Sequence, residues 1–186
     1  MSAEPNLLLI GLRGSGKSTI ARALALRQHR AFFDLDEITP TLLGCTSVSD
    51  AWRSHGEPAF REAETRALRQ TLSANQGAII ALGGGAPTAP GAADLIEREA
   101  RAGRARVVYL RCTPEMLAQR LRSIPGGPGA SRPSLTGADP IEEIGVIHAQ
   151  RDPLYQRLAT RTIENLASLE EALAALNDWT RWHTQR

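Results

Sequence analysis

The chain has 186 residues, 22 Lys+Arg against 20 Asp+Glu, a formal net charge of +2 and 42% apolar residues. That is the size of one domain able to bury a full core, and neither the near-balanced charge nor the scattered arginines suit a nucleic-acid arm or a membrane-surface helix. The two cysteines, Cys45 and Cys112, show no metal-ligand spacing and fit a reducing compartment better than a disulfide framework.

"NLLLIGL" (6–12) reads as the first strand: short and almost wholly apolar, as in a parallel sheet buried on both faces. The run is too short to span a bilayer. The residues ahead of it leave no room for a leader, so a cytoplasmic protein is expected. Next comes "GLRGSGKS" (11–18), the G-x-x-x-x-G-K-[ST] pattern in its strand-to-helix setting, which points to a nucleoside triphosphate. The glycines let successive backbone N–H groups turn inward around a phosphate. The helix that follows presents its positive end to the same anion, and Ser18 offers a hydroxyl to Mg²⁺. Lys17 is the single lysine among the 22 Lys+Arg residues. A compact point charge is needed between loop and phosphates, and a planar guanidinium does not replace it.

"AFFDLD" (31–36) reads as the second strand and ends in Asp34 and Asp36. Strand carboxyl ends line the crevice of an open α/β sheet, and residues two apart on a strand face the same side. One carboxylate could orient an acceptor hydroxyl while the other holds a metal-bound water. A strand-end and helix-cap pair is an equal alternative. Pro58 marks the start of the helix "AFREAETRALRQTL", which carries Arg61 and Glu64 on one face. Their spacing is that of an ordinary helix ion pair, and also of an arginine fork preorganised for a carboxylate.

"AIIAL" (78–82) is the third strand. Gly83, Gly84 and Gly85 follow it, more glycine than a simple turn needs, which suggests backbone brought close to a ligand. "ARVVYL" (105–110) is the fourth strand, and Thr113-Pro114 opens the helix "EMLAQRLRS". "SIPGGPGASRPSLTGADP" (123–140) has no apolar period; with Arg120, Arg122 and Arg132 in and beside it, it reads as a lid over about 121–139. Asp139–Glu142 and Ser168–Glu171 read as capping boxes. "RTIEN" (161–165) reads as the last strand, and Trp179 and Trp182 as packing for the last helix. The alternation gives βαβ units and a three-layer α/β/α domain over 1–186.

"GLRGSGKST", "FFDLD", "GEPAFREAE", "LGGG", "SRPSL" and "RDPLYQRLA" resemble, in order and spacing, the shikimate kinase family over roughly residues 6–165. The resemblance implies an NMP-kinase-like P-loop fold with a five-stranded parallel sheet and a mobile lid. It implies ATP-dependent phosphorylation of the 3-hydroxyl of shikimate, on the way to chorismate and the aromatic amino acids. By the same resemblance, Gly14, Ser15, Gly16, Lys17, Ser18 and Thr19 bind the ATP phosphates, Ser18 ligates Mg²⁺, and Asp34 supports the ion through water. Asp36, Arg61, Gly83, Gly84, Gly85 and Arg151 bind shikimate, and Arg132 reaches the ATP phosphates from the lid. Lys17, Asp36 and Arg132 are then the catalytic residues, with Asp36 accepting the hydroxyl proton, and Arg122 approaches the adenine side. The chain departs from the family in reading "RPSL", with Ser134, where "RPLL" is common, and in a longer Pro/Gly-rich stretch between Arg122 and Arg132. A monomer without nucleic-acid or membrane partners is expected. The rival readings are a gluconate- or nucleotide-type kinase, against which "LGGG" with "FREAE" argues, and a silent ligand-binding regulator. Lys17, Ser18, Asp36 and Arg132 argue against the regulator.

Overall fold

Five parallel strands, β1 (Asn6–Ile10), β2 (Phe32–Asp34), β3 (Ile79–Ala81), β4 (Ala105–Arg111) and β5 (Arg161–Glu164), form one sheet in the order β2-β3-β1-β4-β5. The structure, a computed structural model, describes residues 4–123, 141, 143–164 and 168–181, excluding the side chains of 178–181. Each strand lies close to its expected bounds. The pairing sets Leu7 beside Ile79 on one side and beside Arg106 on the other.

The unbroken apolar strands follow from two-sided burial. Alternate side chains of a strand point to opposite faces, and both faces are covered here. Leu8, Ile10, Ile80, Val107 and Tyr109 enter one core. It is closed by α3 (Val48–Ala74), α4 (Ala92–Arg101), α5 (Pro114–Arg122) and α6 (Glu143–Leu158). Leu7, Leu9, Ile79, Ala81, Val108 and Leu110 enter the other, under α1 (Lys17–Gln28) and α7 (Leu169–Arg181). Leu7, Leu8, Leu9 and Ile10 expose at most 1% of their surface, and each fully buried aliphatic side chain contributes about 1.5–3 kcal/mol.

One expectation needs correction: Asp34 and Asp36 do not share a strand face. β2 stops at Asp34 and the chain turns at once into α2 (Leu35–Thr41). The Asp34 carboxylate caps this helix, accepting the Asp36 N–H at 2.9 Å, and Leu35 is fully buried just behind it. The helix start expected at Pro58 holds, although another helical segment precedes it. α3 starts at Val48, where Ser47 Oγ accepts the Asp50 N–H at 3.1 Å, and kinks at Gly56 (φ 77°, ψ 170°). The kink has already broken the hydrogen-bond ladder, so Pro58 sits in the first turn of the restarted helix, where its missing N–H costs little.

Other expectations hold. Thr113 Oγ caps α5 by accepting the Met116 N–H at 3.3 Å, with Pro114 at the first helical position. Ser168 Oγ accepts the Glu171 N–H at 3.2 Å at the start of α7. The cap expected at Asp139, the lid from 124 onward, Trp182 and the side chain of Trp179 lie outside the described residues. Among the described residues no helix is long and apolar enough to cross a membrane.

Candidate active site

β1 and β3 are neighbours, but their continuations diverge: α1 covers one face of the sheet and α4 the other. Such a divergence opens a crevice at the carboxyl ends of the strands. The loop after β1 and the glycine turn after β3 face each other across it.

The loop runs from Gly11 into α1. Gly16, at φ 91° and ψ 10°, is the N-cap of the helix, with no side-chain cap and no acidic residue in the first turn. Glycine takes this left-handed conformation without a steric penalty. The helix thus presents its first N–H groups and the positive end of its dipole to the crevice. Ser15 is buried, while Ser18 and Thr19 are exposed. Lys17 is only 7% exposed; its Nζ donates to the Leu12 carbonyl at 2.9 Å and to Ser15 Oγ at 3.4 Å. Gly14 is tied to α5, its carbonyl accepting from Arg120 Nη1 at 3.3 Å. The same nitrogen lies 3.5 Å from Cys112 Sγ. Burial raises the Cys112 thiol pKa despite the opposing charges of Arg120 and Lys17, so this cysteine is a neutral packing group, not a nucleophile. Arg122 is exposed on the same helix.

Beside the glycine turn, Arg61 is 8% exposed and bonded to two glutamates. Its Nη1 donates to Glu64 Oε2 at 2.8 Å and its Nε to Glu57 Oε1 at 3.2 Å, and its guanidinium lies 5.1 Å from the Trp52 ring. Burial works against the charge, but Glu64 and then Glu57 outweigh it and raise the pKa above the ordinary arginine value. The fork is a permanent, oriented cation.

The glycine turn joins the two sides. A Cβ on Gly84 would stand 3.0 Å from the backbone N of Arg13 in the phosphate loop. A Cβ on Gly85 would overlap Nη1 of Arg61 and stand 3.0 Å from its Cζ. The Gly84 carbonyl accepts from Arg151 Nη1 at 3.0 Å and from the Tyr155 hydroxyl at 2.7 Å, both on α6. Gly83 is buried, and its carbonyl accepts the Ala86 N–H at 3.0 Å. At two of the three glycines a side chain would collide with neighbouring protein atoms, the phosphate loop at Gly84 and Arg61 at Gly85. Asp34, 7% exposed, serves as the α2 cap, and Asp36 is half-buried in the first turn of that helix.

The structure thus brings Arg61, Gly84, Gly85 and Arg151 together against the phosphate loop. Arg132 lies outside the described residues. Sequence reading misses three contributors. Glu57 and Tyr155 stand one helical turn from Arg61 and Arg151, a spacing that could have found them. Trp52 reaches the site by tertiary packing, which no local pattern announces, as does the bond of Arg120, read only as flanking the lid, to Gly14.

Ser18 and Asp34 are hard oxygen donors. Among the described residues no group of three or more His, Cys, Asp or Glu could hold a metal. Mg²⁺ prefers hard oxygens, takes one or two of them from a protein and fills its shell with water and substrate phosphates.

The shikimate kinase family model matches residues 13–178. A shikimate kinase of Cupriavidus pinatubonensis is 34% identical over 163 residues, 88% of this chain and 79% of that protein. One of Mycobacterium avium is 38% identical over 160 residues, 86% of this chain and 84% of that protein. Among solved structures, shikimate kinase from Acinetobacter baumannii in complex with shikimate is similar at TM-score 0.82 and 29% identity, over 97% of this chain and 95% of that one.

Proposed function

The chain belongs to the shikimate kinase family, and from that premise we propose how its residues divide the reaction between them. The enzyme transfers the γ-phosphoryl group of ATP to the 3-hydroxyl of shikimate and releases ADP, a step toward chorismate. The observation that carries the division of labour is the glycine junction. Gly84 abuts the phosphate loop, Gly85 abuts Arg61, and the Gly84 carbonyl holds Arg151.

Phosphoryl transfer asks for positioning and charge neutralisation more than for covalent chemistry. The backbone of Gly14–Thr19 cradles the phosphates, and Lys17 trades its Leu12 and Ser15 contacts for phosphate oxygens. Arg61 and Arg151 clamp the shikimate carboxylate, bidentate geometry favouring arginine over lysine there. The junction then sets the acceptor at a fixed offset from the phosphate cradle. Asp36 orients the acceptor hydroxyl and takes its proton. Arg132 joins the phosphates from the 121–139 segment, and Arg120, tied to Gly14, braces the loop on the nucleotide side. Ser18 and, through water, Asp34 would hold Mg²⁺, which when bound would neutralise phosphate charge. We read residues 1–186 as one monomeric catalytic unit, with the phosphate loop at 11–19 and the acceptor region at about 34–64. It acts in the cytoplasm; two free, buried cysteines suit a reducing compartment.

The test is ADP release with shikimate, gluconate, CMP or no acceptor. Turnover confined to shikimate is expected. Comparable release with gluconate or CMP, or with no acceptor at all, overturns the reading.

A further inference from the structure

We propose that Tyr155 is a positioning residue of the acceptor site, whose hydroxyl fixes the Gly84 carbonyl and thereby the guanidinium of Arg151. The inference rests on the reading of Arg151 as a ligand of the shikimate carboxylate.

Arg151 and Tyr155 stand one turn apart on α6, so both project from one face of the helix. Both donate to the same oxygen, Gly84 O, at 3.0 and 2.7 Å. A carbonyl oxygen has two lone pairs, and two donors fix its direction and the plane of its peptide. Arg151 is half-buried on a long, rotamer-rich side chain. Its Nη1 contact with the Gly84 carbonyl helps to aim it, and a shift of that carbonyl shifts the contact.

Tyr155 is itself held on every side. It is fully buried, and its ring meets Tyr109 of β4 edge-to-face, centroids 5.5 Å apart at 88°. The Tyr109 hydroxyl donates to Asp152 Oδ1 at 2.8 Å. Asp152, the residue after Arg151, takes Arg111 on both oxygens, at 2.8 and 2.9 Å, and Gln156 Nε2 at 2.7 Å. α6 is thus pinned to β4 beside the two groups that grip Gly84. Burial pushes the Tyr155 pKa up to about 12, so the hydroxyl remains a donor across the working pH range. Any carbonyl would satisfy a buried tyrosine. This one accepts from Arg151 and belongs to the glycine packed on the phosphate loop.

Tyr155→Phe removes the hydroxyl and keeps the ring contact. The shikimate KM should rise about 5–20-fold, the size of one lost buried hydrogen bond, with the ATP KM within about twofold. A purely structural role would lower Tm and the active fraction, hence apparent kcat, without moving the shikimate KM; that result overturns the proposal. Tyr109→Phe keeps both donors on Gly84 and serves if Tyr155→Phe folds poorly. It should raise the shikimate KM in the same direction by a smaller factor, and no change there counts against the proposal. In an Arg151→Ala background, Tyr155→Phe should add less than about twofold, because the two act as a unit; full multiplicative addition refutes the link. An unchanged shikimate KM in Arg151→Ala overturns the carboxylate reading and this inference with it. A raised KM there, beside an unchanged KM in Tyr155→Phe, overturns this inference alone.

Discussion

Gly85→Ala probes the glycine junction with a single methyl group. Gly85 has φ −116° and ψ −5°, which alanine adopts readily, so the perturbation is steric rather than torsional. The new Cβ would overlap Nη1 of Arg61 and stand 3.0 Å from Cζ and 3.1 Å from Nη2. Ordinary contact needs about 3.5–4.0 Å, so Nη1 must retreat by about 1 Å or more. It is not free to do so, because Nη1 holds Glu64 at 2.8 Å and Nε holds Glu57 at 3.2 Å. The retreat stretches the Glu64 bond toward the limit of hydrogen bonding and turns the fork away from the crevice. A hydrogen bond to a charged group is worth about 1.5–3 kcal/mol, which is roughly 10–150-fold in affinity. The same loss lowers stability, because it outweighs the about 0.4–1 kcal/mol that alanine gains by narrowing the unfolded ensemble. We therefore expect the shikimate KM to rise by one to two orders of magnitude, on the order of that conversion, with Tm lowered and the ATP KM nearly level. Gly84→Ala is the contrasting variant. Its Cβ meets the Arg13 backbone at 3.0 Å, so the phosphate loop must shift and the ATP KM should rise. Steady-state ADP release with each substrate varied in turn reads both. A wild-type shikimate KM in Gly85→Ala, or an equal rise in its ATP KM, refutes the idea that this turn sets the position of Arg61.

Lys17→Arg should keep the fold by circular dichroism yet cut turnover at least about tenfold, because a planar fork cannot occupy the space of a point charge; near-native turnover sinks that reasoning. Asp36→Asn should lower kcat by about 10²–10⁴-fold with Tm little changed, since the cap of α2 is Asp34; a stable variant keeping more than about a tenth of kcat returns Asp36 to a binding role. Asp152 gives a pH signature. Burial alone would raise its carboxyl, but hydrogen bonds from Arg111 and Tyr109 outweigh burial and hold it below its ordinary 3.8. A pKa depressed by folding adds stability that is complete above the unfolded value and is lost as pH falls through the folded one. The Tm gap between wild type and Asp152→Asn should be constant near neutrality and close below about pH 4; a gap that persists in acid contradicts the assignment.

Short-range chemistry is legible without the fold. The phosphate loop works through its own contiguous backbone, and the Thr113 and Ser168 caps are bonds to residues three positions away. Strand and helix periods follow from which side chains must leave water. These features were determined by the sequence alone, because their partners lie within a turn or two of each other. Asp34 and Asp36 mark where that reach ends. One stretch of sequence suits a continued strand or a helix cap, and the choice fell to the burial of Leu35, the first residue of α2, in the core it shares with α3. The contacts at the glycine turn lie wholly beyond it. Arg151 and Tyr155 meet Gly84 across 67 and 71 residues, and Arg120 meets Gly14 across 106. Only the order β2-β3-β1-β4-β5 sets the end of β3 beside the phosphate loop, and that order comes from burying two apolar faces at once, a collective property that no local spacing records.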